Sequence, residues 1–451
     1  MSKQRGKASA AVDLMNGSIA KGILSFAVPI FVGQLLQQLY NMADAWVVGN
    51  FADNDAFAAV SSAGNLIFLI IGFFSGIAIG GGVIISKFYG AGDKEQISKA
   101  IHTNFLFGII SSILATVVGL LLIPQLLRMM NTPDSVLPQS LVYFRIYFAG
   151  VITVVMYNIC MAIMRALGDS LHPLYYLVIS SVVNIILDLL FVAVFHWGVA
   201  GAAIATVAAQ GISVVLCIVR MCRAKDDMHL DFRKLKFHKD IMKEVVRQGL
   251  PSGVQNSVIS IGNIVIQANI NAFGAYAMSG QGAYVKIEGF VFLPIMSMSM
   301  ALPTFISQNL GAKKTDRAKK GALFGILCGI ILAEVIGVIV FLYGKYALRI
   351  FVDSPEAIAY GTTHAKITSL FYFLLAFSHC AAGVLRGCGK SIIPMIAMLT
   401  CWCAIRIVYV TIAVKIIPEY YMVAMAYPIT WFLSSVLFFV SLFKSNWTKI
   451  Q

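Results

Sequence analysis

Four polar side chains recur at helical spacing in the first apolar stretch of the chain: Gln34, Gln37, Asn41 and Asp44. Spacings of three, four and three residues place them on one face of an α-helix. Amides can donate to a charged carboxylate or accept from a protonated one, so they suit an acid whose charge changes. The stripe therefore predicts a polar cavity beside Asp44, although amides that only join helices by hydrogen bonds would give the same pattern.

A second acid, Asp188, lies four residues after Asn184 in the apolar stretch "SSVVNIILDLLF", so these two share a helical face. Two carboxyl groups close together in a medium of low dielectric constant cannot both ionise at low cost. We therefore expect Asp44 and Asp188 to take up and release protons, with Asn184 beside them, provided that their helices are neighbours. A sodium ion held by the same two acids is the alternative.

The composition indicates the medium that surrounds these residues. Of 451 residues, 59% are hydrophobic and only 12% are charged, and the mean hydropathy is +0.84. Soluble globular proteins usually carry about 25% charged residues. Apolar stretches of about 20 residues, each long enough to cross a hydrocarbon core of roughly 30 Å, recur along the whole chain. The sequence therefore predicts an all-α integral membrane protein.

We predict twelve transmembrane helices in two lobes of six. They cover residues 19–47, 56–86, 97–123, 137–165, 171–195, 198–221, 248–272, 277–307, 318–343, 357–386, 390–416 and 420–443. The predicted domains are an N-terminal segment (1–18), an N-lobe (19–221), a linker (222–247), a C-lobe (248–443) and a tail (444–451). The first apolar segment is too long for the core of a signal peptide, so we expect no cleaved signal.

Basic residues predict the sidedness of these helices. Most of the 34 Lys and Arg residues fall on the side of the N-terminus, among them the run from Arg220 to Arg247. The loops on the opposite side hold only Arg128, Lys345, Arg349 and Lys415. Because cytoplasmic loops carry the excess of Lys and Arg, both termini should be cytoplasmic. The net charge of +14 therefore indicates contact with lipid headgroups and not a nucleic-acid partner.

The two halves of the chain resemble each other at an offset of about 221 residues. The pattern R-x-x-G-x-S-x-x-P begins at Arg165 and again at Arg386, and Pro29 matches Pro251. Because each half has an even number of helices, both should cross the membrane in the same sense. We expect a pseudo-two-fold axis along the membrane normal, and binding sites near the bilayer midplane that work by alternating access.

The acid pair is not repeated in the second half. The positions that correspond to the three predicted ion-site residues hold Ile266, Ile405 and Tyr409. Lys286 and Glu288 are two residues apart and so face different sides of a helix. Arg406 is predicted either to partner Glu288 or to line the cavity. The remaining cavity candidates in this half are Asn256, Asn263, Gln267 and Met296.

The sequence disfavours enzymatic and ATP-driven functions. It contains no H-E-x-x-H, G-x-S-x-G or Walker-type G-x-x-x-x-G-K-[ST] motif. The pair Cys401-x-Cys403 lacks the further cysteines or histidines of a zinc site. We expect a protein that is not an enzyme, with no cofactor and no metal centre apart from a coupling ion, and a monomer.

At the level of motifs, the chain resembles the MATE (multidrug and toxic compound extrusion) family of bacterial secondary transporters, over residues 15–445. The resemblance rests on "PIFVGQLLQQLYNMADAWVVG", "KFYGAGDK", "MRALGDSLHP", "VVNIILD", "GAAIATV" and, in the second half, "SQNLGAKK" and "LRGCGKSIIP". It implies a twelve-helix antiporter that expels organic cations and varied drugs in exchange for protons or sodium.

The resemblance also implies roles for particular residues. Asp44, Asn184 and Asp188 match the ion site of the family's first lobe, and Pro29 matches the point where its first helix bends. It further suggests, as neighbours of the ion site or the cavity, Gln37, Tyr143, Asn158 and Thr206. The sodium-coupled branch carries an acid in helix 7 and another in helix 10, which this chain lacks. That departure favours protons as the coupling ion.

We therefore expect an antiporter of the plasma membrane that exports amphipathic, cationic small molecules by alternating access. Its partners would be the small-molecule substrate and the lipid bilayer. The alternative is a lipid-linked oligosaccharide flippase of the same broader superfamily. Such flippases often have more helices and a basic central cavity, for which this chain offers just Lys286 and Arg406 as candidate cations.

Overall fold

The computed structural model describes residues 11–52, 54–129, 133–445 and 447–448. The regular elements in these ranges are helices, which satisfy their own backbone hydrogen bonds as lipid requires. The first half contains α1 (Ile19–Phe51), α2 (Asn54–Ala91), α3 (Lys94–Met129), α4 (Leu137–Ala149), α5 (Val151–Ala166), α6 (Leu171–Asp188) and α7 (Gly198–Arg223). The second half contains α8 (Lys239–Asn271), α9 (Ala275–Gly311), α10 (Thr315–Leu348), α11 (Pro355–Thr368), α12 (Tyr372–Gly387), α13 (Ile392–Met398), α14 (Arg406–Ile416) and α15 (Tyr420–Lys444).

These helices correspond to the transmembrane helices predicted from the apolar stretches. Among the described residues, ten spans are long and apolar enough to cross a membrane, or eleven if α4 and α5 count as one bent span. The remaining predicted transmembrane helix corresponds to α8, which has a charged start and a polar stripe that lower its hydropathy. It begins at Lys239, nine residues before the predicted start at residue 248, so part of the predicted linker is helical. The exact lobe boundaries stay a prediction.

Four of the predicted helices contain breaks that the sequence pattern did not show. Two are in the second half, at Ser369–Phe371 and Leu399–Ile405, and two are in the first half. The predicted helix 137–165 bends by 46° between α4 and α5. A Cβ atom at Gly150, the residue between them, would overlap the side chain of Val207 on α7, so the close approach requires glycine. In the second case a π-helical turn, Leu189–Val194, follows Asp188 at the end of α6. Such turns are frequent at functional sites.

The hydrophobic cores follow the two halves of the chain. One cluster of buried side chains lies between Val47 and Val245 in sequence, and a second lies between Ala283 and Phe438. A third cluster joins the start of α1, at Phe26 and Ile30, to α9 and α10 of the second half. Helix α1 therefore packs on both halves, against α6 on one side and α9 on the other.

The two halves meet most closely where α2 packs on α8. Gly76 and Gly80 of α2 face Gly253 and Gly249 of α8, and a Cβ atom at any of the four would overlap the opposite backbone. Each helix thus presents a G-x-x-x-G motif, the arrangement that lets membrane helices approach with their backbones. The paired motifs bring the two lobes into direct contact.

A segment before α1 also joins the two halves, at the end of the bundle where α1 begins, called the basic end below. The backbone N–H of Val12 donates to the carbonyl of Gly168 in the first half (2.9 Å). The Leu14 carbonyl accepts from Asn309 and Arg317 of the second half (3.1 and 3.2 Å). This segment lies within the predicted region 1–18, of which residues 1–10 lie outside the described residues.

Candidate functional site

The structure brings the two acids of the first half together. Helix α1 packs against α6, and the carboxyl groups of Asp44 and Asp188 lie within hydrogen-bonding range of each other. The Asp188 side chain is completely buried. Two carboxyl groups in such contact repel each other unless a proton or a cation lies between them. The two helices are therefore neighbours, as the predicted site requires.

No protein group compensates these two acids in the part of the chain that the structure describes. Neither acid forms an ion pair there. Both carboxyl oxygens of Asp188 and Oδ1 of Asp44 are buried without a hydrogen-bond donor. Buried polar atoms normally have a partner, and an orphaned group indicates a missing proton, water or ion. The geometry fits a shared proton and would also accept a small cation.

Tyrosines form the wall of this acid pair. Tyr143, which is 4% exposed, lies near both carboxyl groups. Its ring stacks on that of Tyr147 at 6.2 Å between centroids. Tyr40 lies near both acids too and contacts Gln210 of α7. Phenols and amides can donate to a carboxylate, so these side chains can stabilise its charged form at little cost in reorganisation.

The sequence reasoning named Tyr143 but missed its partners Tyr40, Tyr147 and Gln210. A signal was present for two of them. Tyr40 precedes Asp44 by four residues and Tyr147 follows Tyr143 by four, so each shares a helical face with a predicted site residue. Gln210 is a single amide in an apolar helix, and only the packing of α7 shows that it reaches the site.

Asn184 lies one helical turn before Asp188, as predicted, and is 2% exposed. Neither its amide nitrogen nor its amide oxygen has a hydrogen-bond partner among the described residues. An amide without partners can donate to a carboxylate or accept from a hydrated ion. Its position and its vacant hydrogen-bonding groups place it with the acid pair.

The rest of the amide stripe on α1 divides between two environments. Gln34 is partly buried, and its Nε2 donates to Sδ of Met300 on α9 (2.9 Å). This contact joins the two halves, so at Gln34 the structure favours the helix-joining interpretation. Gln37 contacts Tyr40 at the margin of the acid site, and the Asn41 side chain is exposed. Pro29 is buried inside the continuous helix α1.

The other predicted cavity residues lie outside the acid site. Asn158 and Thr206 bond to carbonyl groups of their own helices, at Val154 and Ala202. Asn256 crosses the interface, where its Nδ2 donates to the Gly72 carbonyl (3.1 Å). Further along α8 the polar side chains are exposed: Asn263, Gln267 and Asn271.

In the second half, Glu288 lies in a cluster of hydrogen-bonding side chains. Tyr284 donates to Glu288 Oε1 (3.1 Å), and the same phenol oxygen lies 2.7 Å from Thr368 Oγ1 and 2.9 Å from Tyr372 Oη. Arg406 is near enough to stabilise the charge of Glu288. Every polar contact of this acid is therefore with a donor or a cation.

Arg406 has partners of its own. Its Nε and Nη2 atoms donate to Thr430 Oγ1 (3.0 and 2.7 Å), and its guanidinium lies 4.6 Å from the centroid of the Tyr427 ring. Its direct contacts are therefore with Thr430 and Tyr427, while Glu288 lies within electrostatic range but forms no ion pair with it among the described residues. Lys286 points elsewhere, toward the ring of Phe351 at 5.4 Å. Met296 is partly buried on the same helix, α9.

Hydrogen bonds close the two halves together at the basic end. Ser307 donates to the Val83 carbonyl (2.7 Å), and Gln308 Nε2 donates to the Ala166 carbonyl (2.8 Å). Arg317 also donates to the carbonyls of Asn16 and Gly17 (2.9 and 2.7 Å). The two halves are therefore held together by direct hydrogen bonds at this end.

Known proteins were compared with this chain. The family model described as MatE matches it twice, over residues 29–190 and 251–412. The starts of the two matches differ by 222 residues (251 − 29 = 222), which confirms the internal repeat and its offset.

Relatives match most of the chain. The "Probable multidrug resistance protein YpnP" of Bacillus subtilis (strain 168) is 28% identical over 396 residues, which cover 88% of this chain and 88% of that protein. The "Probable multidrug resistance protein NorM" of Thermotoga maritima is 24% identical over 394 residues, which cover 86% of this chain and 84% of that protein. Both relatives are named as probable multidrug resistance proteins, and the matched region covers a similar share of each chain.

Solved structures share the fold at 21% identity. One, described as "Outward-facing conformation of a multidrug resistance MATE family transporter of the MOP superfamily", has a TM-score of 0.89 and covers 96% of this chain and 97% of that chain. Another, of a MOP superfamily transporter from Pyrococcus furiosus described by the "reverse polarity" of its binding pocket, has a TM-score of 0.90 and covers 98% and 100%. These likenesses confirm the predicted all-α membrane fold with two lobes.

Proposed function

This chain belongs to the MatE family, and on that premise we propose that it is an antiporter that exports amphipathic, cationic small molecules in exchange for protons. The observation that carries the proposal is the buried contact between Asp44 and Asp188 without a protein donor or cation. Such a pair needs a positive charge from outside the protein. A proton and a cationic substrate can each supply it, and two ligands that compete for one charge are the basis of exchange.

The exchange follows from electrostatics. When the pair carries a proton, it repels itself less and attracts a cationic substrate less, so the substrate leaves. Loss of the proton restores the negative charge that attracts the next cation. For this cycle to move the lobes, the proton must bind one conformation more tightly than the other. A ligand that binds both conformations equally well does not shift the equilibrium between them. Bending of α1 at the buried Pro29 would shrink the cavity when the pair is protonated.

The surroundings of the pair support protons over sodium. The neighbouring phenols and amides can donate to the charged carboxylate and accept from the protonated one, and the chain lacks the further acids that the family resemblance associates with sodium coupling. We assign the basic end to the cytoplasm of a plasma-membrane protein with both termini inside. Because that end is closed, the structure then corresponds to an outward-facing state. We further propose that the protein works as a monomer.

The experiment is export of a fluorescent cation, such as ethidium, by purified protein in proteoliposomes. A pH gradient alone and a sodium gradient alone are imposed on separate samples of the wild type and of Asp44→Asn. We expect the pH gradient to drive transport by the wild type. The Asp44→Asn variant should lose that response, because the substitution removes one of the two carboxyl groups. Glu334→Gln is the matched control, since Glu334 lies on α10 and accepts from the Phe373 N–H (3.2 Å), away from the pair.

Three results would contradict the proposal. Transport driven only by sodium would reverse the assignment of the coupling ion. Equal pH-driven transport by the wild type and Asp44→Asn would remove the acid pair from the mechanism. Translocation of a lipid-linked sugar without any movement of the cation would favour the flippase alternative.

A further inference from the structure

A cavity between the two lobes is lined by two arginines, one from each half. It lies among α2, α5, α9 and α12 and is called the central cavity here. Arg165 and Arg386 both line it. They occupy equivalent positions of the internal repeat, since 386 − 165 = 221. The candidate cavity cations predicted from the sequence are Lys286 and Arg406, and neither lines this cavity.

No acid neutralises either arginine in the part of the chain that the structure describes. Arg386 is only 9% exposed, and its Nε donates to the Ala382 carbonyl of its own helix (3.2 Å). The Nε of Arg165 is buried and has no acceptor at all. Neither guanidinium forms an ion pair within 4.0 Å, and no carboxylate contributes to its electrostatic surroundings. Two positive charges, one buried and one partly buried, therefore face one space without a counter-charge among the described residues.

Burial of an uncompensated charge is costly, and the usual solution is an anion with hydrogen-bond acceptors. Guanidinium groups match the oxygen atoms of carboxylates and phosphates. Ser75 and Thr304 add hydroxyl groups to the wall, while Ile79, Val83 and Pro303 make part of it apolar. The wall thus combines sites for an anionic group with a surface for a hydrocarbon portion.

We propose that the central cavity binds an amphipathic anion, with its phosphate or carboxylate group on Arg165 and Arg386 and its apolar portion against α2 and α9. The ligand is either the headgroup region of an anionic lipid or a soluble amphiphile with the same chemistry. This site is separate from the acid pair, which attracts cations, and nothing in the binding step depends on ion coupling.

Binding has a consequence for the lobes. Because each lobe supplies one arginine, the complete site exists only when the lobes are together at the basic end. A ligand that binds one conformation better shifts the equilibrium toward it. The anion therefore stabilises the state that is closed at the basic end and slows its opening. This second step rests on the proposed alternating access.

The test is saturable binding of radiolabelled dodecyl phosphate to purified full-length protein in a neutral detergent. Arg165→Gln and Arg386→Gln should each weaken binding at least about tenfold, because each removes a charged hydrogen-bond donor. Arg145→Gln is the matched control: its arginine lies on α4, is exposed and lines no part of the central cavity. Unchanged binding in both cavity variants would overturn the proposal.

Wild-type measurements keep the test decisive if either variant fails to fold. Dodecanol, which lacks the anion, should not displace dodecyl phosphate, and inorganic phosphate, which lacks the chain, should displace it only weakly. Equal displacement by dodecanol would overturn the role of the arginines, and equal displacement by inorganic phosphate would overturn the role of the apolar wall.

The source of the ligand is identified by competition with lipids and with a soluble amphiphile. Displacement by phosphatidylglycerol but not phosphatidylcholine identifies a lipid as the source, whereas displacement by laurate alone identifies a soluble amphiphile. Since no transport is measured, failure here is independent of the proposed exchange of protons for cations.

Discussion

The two lobes bury acidic side chains under opposite conditions. In the first lobe, Asp44 and Asp188 lie against each other, and their buried oxygens lack donors. In the second lobe, Glu288 accepts from Tyr284 and has Arg406 nearby. The first arrangement needs a positive charge from outside, whereas the second is balanced by the protein itself.

This difference matters because the lobes descend from one repeated unit. At the second-lobe position that corresponds to Asp44 stands Ile266, which is 2% exposed and belongs to a hydrophobic cluster. The position that corresponds to Asp188 holds Tyr409, whose phenol donates to the sulfur of Met422 (3.7 Å). The two halves keep the same helices but not the same electrostatics. Ion coupling is therefore expected in one lobe only.

The sharpest test of the comparison exchanges each acid for its amide. Asp188→Asn should reduce cation transport driven by a pH gradient at least about tenfold, a change equivalent to about 1.4 kcal/mol. Glu288→Gln should leave the pH-gradient response in place, because its charge is balanced within the protein. Both variants are compared in proteoliposomes at equal reconstituted amounts. A loss of coupling in Glu288→Gln equal to that in Asp188→Asn would mean that both lobes carry the coupling ion.

Removal of the cation from the second lobe should lower stability strongly. Arg406→Met removes the positive charge near Glu288 together with the two hydrogen bonds to Thr430, and hydrogen bonds to charged groups contribute about 1.5–3 kcal/mol each. We expect a lower midpoint of thermal unfolding in detergent. Lys286→Met is the control, because Lys286 is exposed and lies over Phe351 instead. Equal midpoints for Arg406→Met and the wild type would show that Glu288 is not balanced by Arg406.

A smaller loss is expected when the hydrogen bond to Glu288 is removed. Tyr284→Phe deletes the donor at 3.1 Å and the contacts to Thr368 and Tyr372. Hydrogen bonds to charged groups contribute about 1.5–3 kcal/mol, so the unfolding midpoint should fall by less than in Arg406→Met. Tyr276→Phe, at a tyrosine that is 55% exposed on the same helix, should have no measurable effect. A larger loss in Tyr276→Phe would contradict the assigned network.

The smallest effect concerns the amide stripe of the first lobe. Gln34→Leu removes the contact with Met300 between the halves, and such contacts in membranes average about 0.6 kcal/mol. We expect a slight fall in the unfolding midpoint and no change in the response of transport to pH. Gln37→Leu should show the reverse, with altered transport and unchanged stability, because Gln37 contacts Tyr40 at the acid site. Identical behaviour of the two variants would contradict the assignment of Gln34 to the contact between the halves and of Gln37 to the acid site.

Much of the fold followed from local patterns. The lengths of the apolar stretches predicted the transmembrane helices. The repeated pattern of arginine, glycine, serine and proline predicted two related halves. The acids were recognised because a carboxylate among apolar residues is costly and therefore rarely accidental. Boundaries were less accurate where helices extend beyond the apolar stretch, as α8 does at its charged start.

Other features depend on which helices become neighbours, and helical spacing carries no information about that. The contact of Tyr147 and Gln210 with the site, the facing glycines of α2 and α8, and the meeting of Arg165 with Arg386 all join residues distant in sequence. Both arginines lie at the ends of predicted helices, 137–165 and 357–386, where basic residues usually set sidedness.

The sequence by itself determined the membrane environment, the helices, the duplication and the identity of the uncompensated acids, because these depend on composition and on spacing along one chain. Only the tertiary structure decided that Asp44 lies against Asp188, that Glu288 accepts from Tyr284 with Arg406 nearby, and that two arginines share a cavity. Charges interact across space at distances of a few ångströms, and those distances are set by how the helices pack.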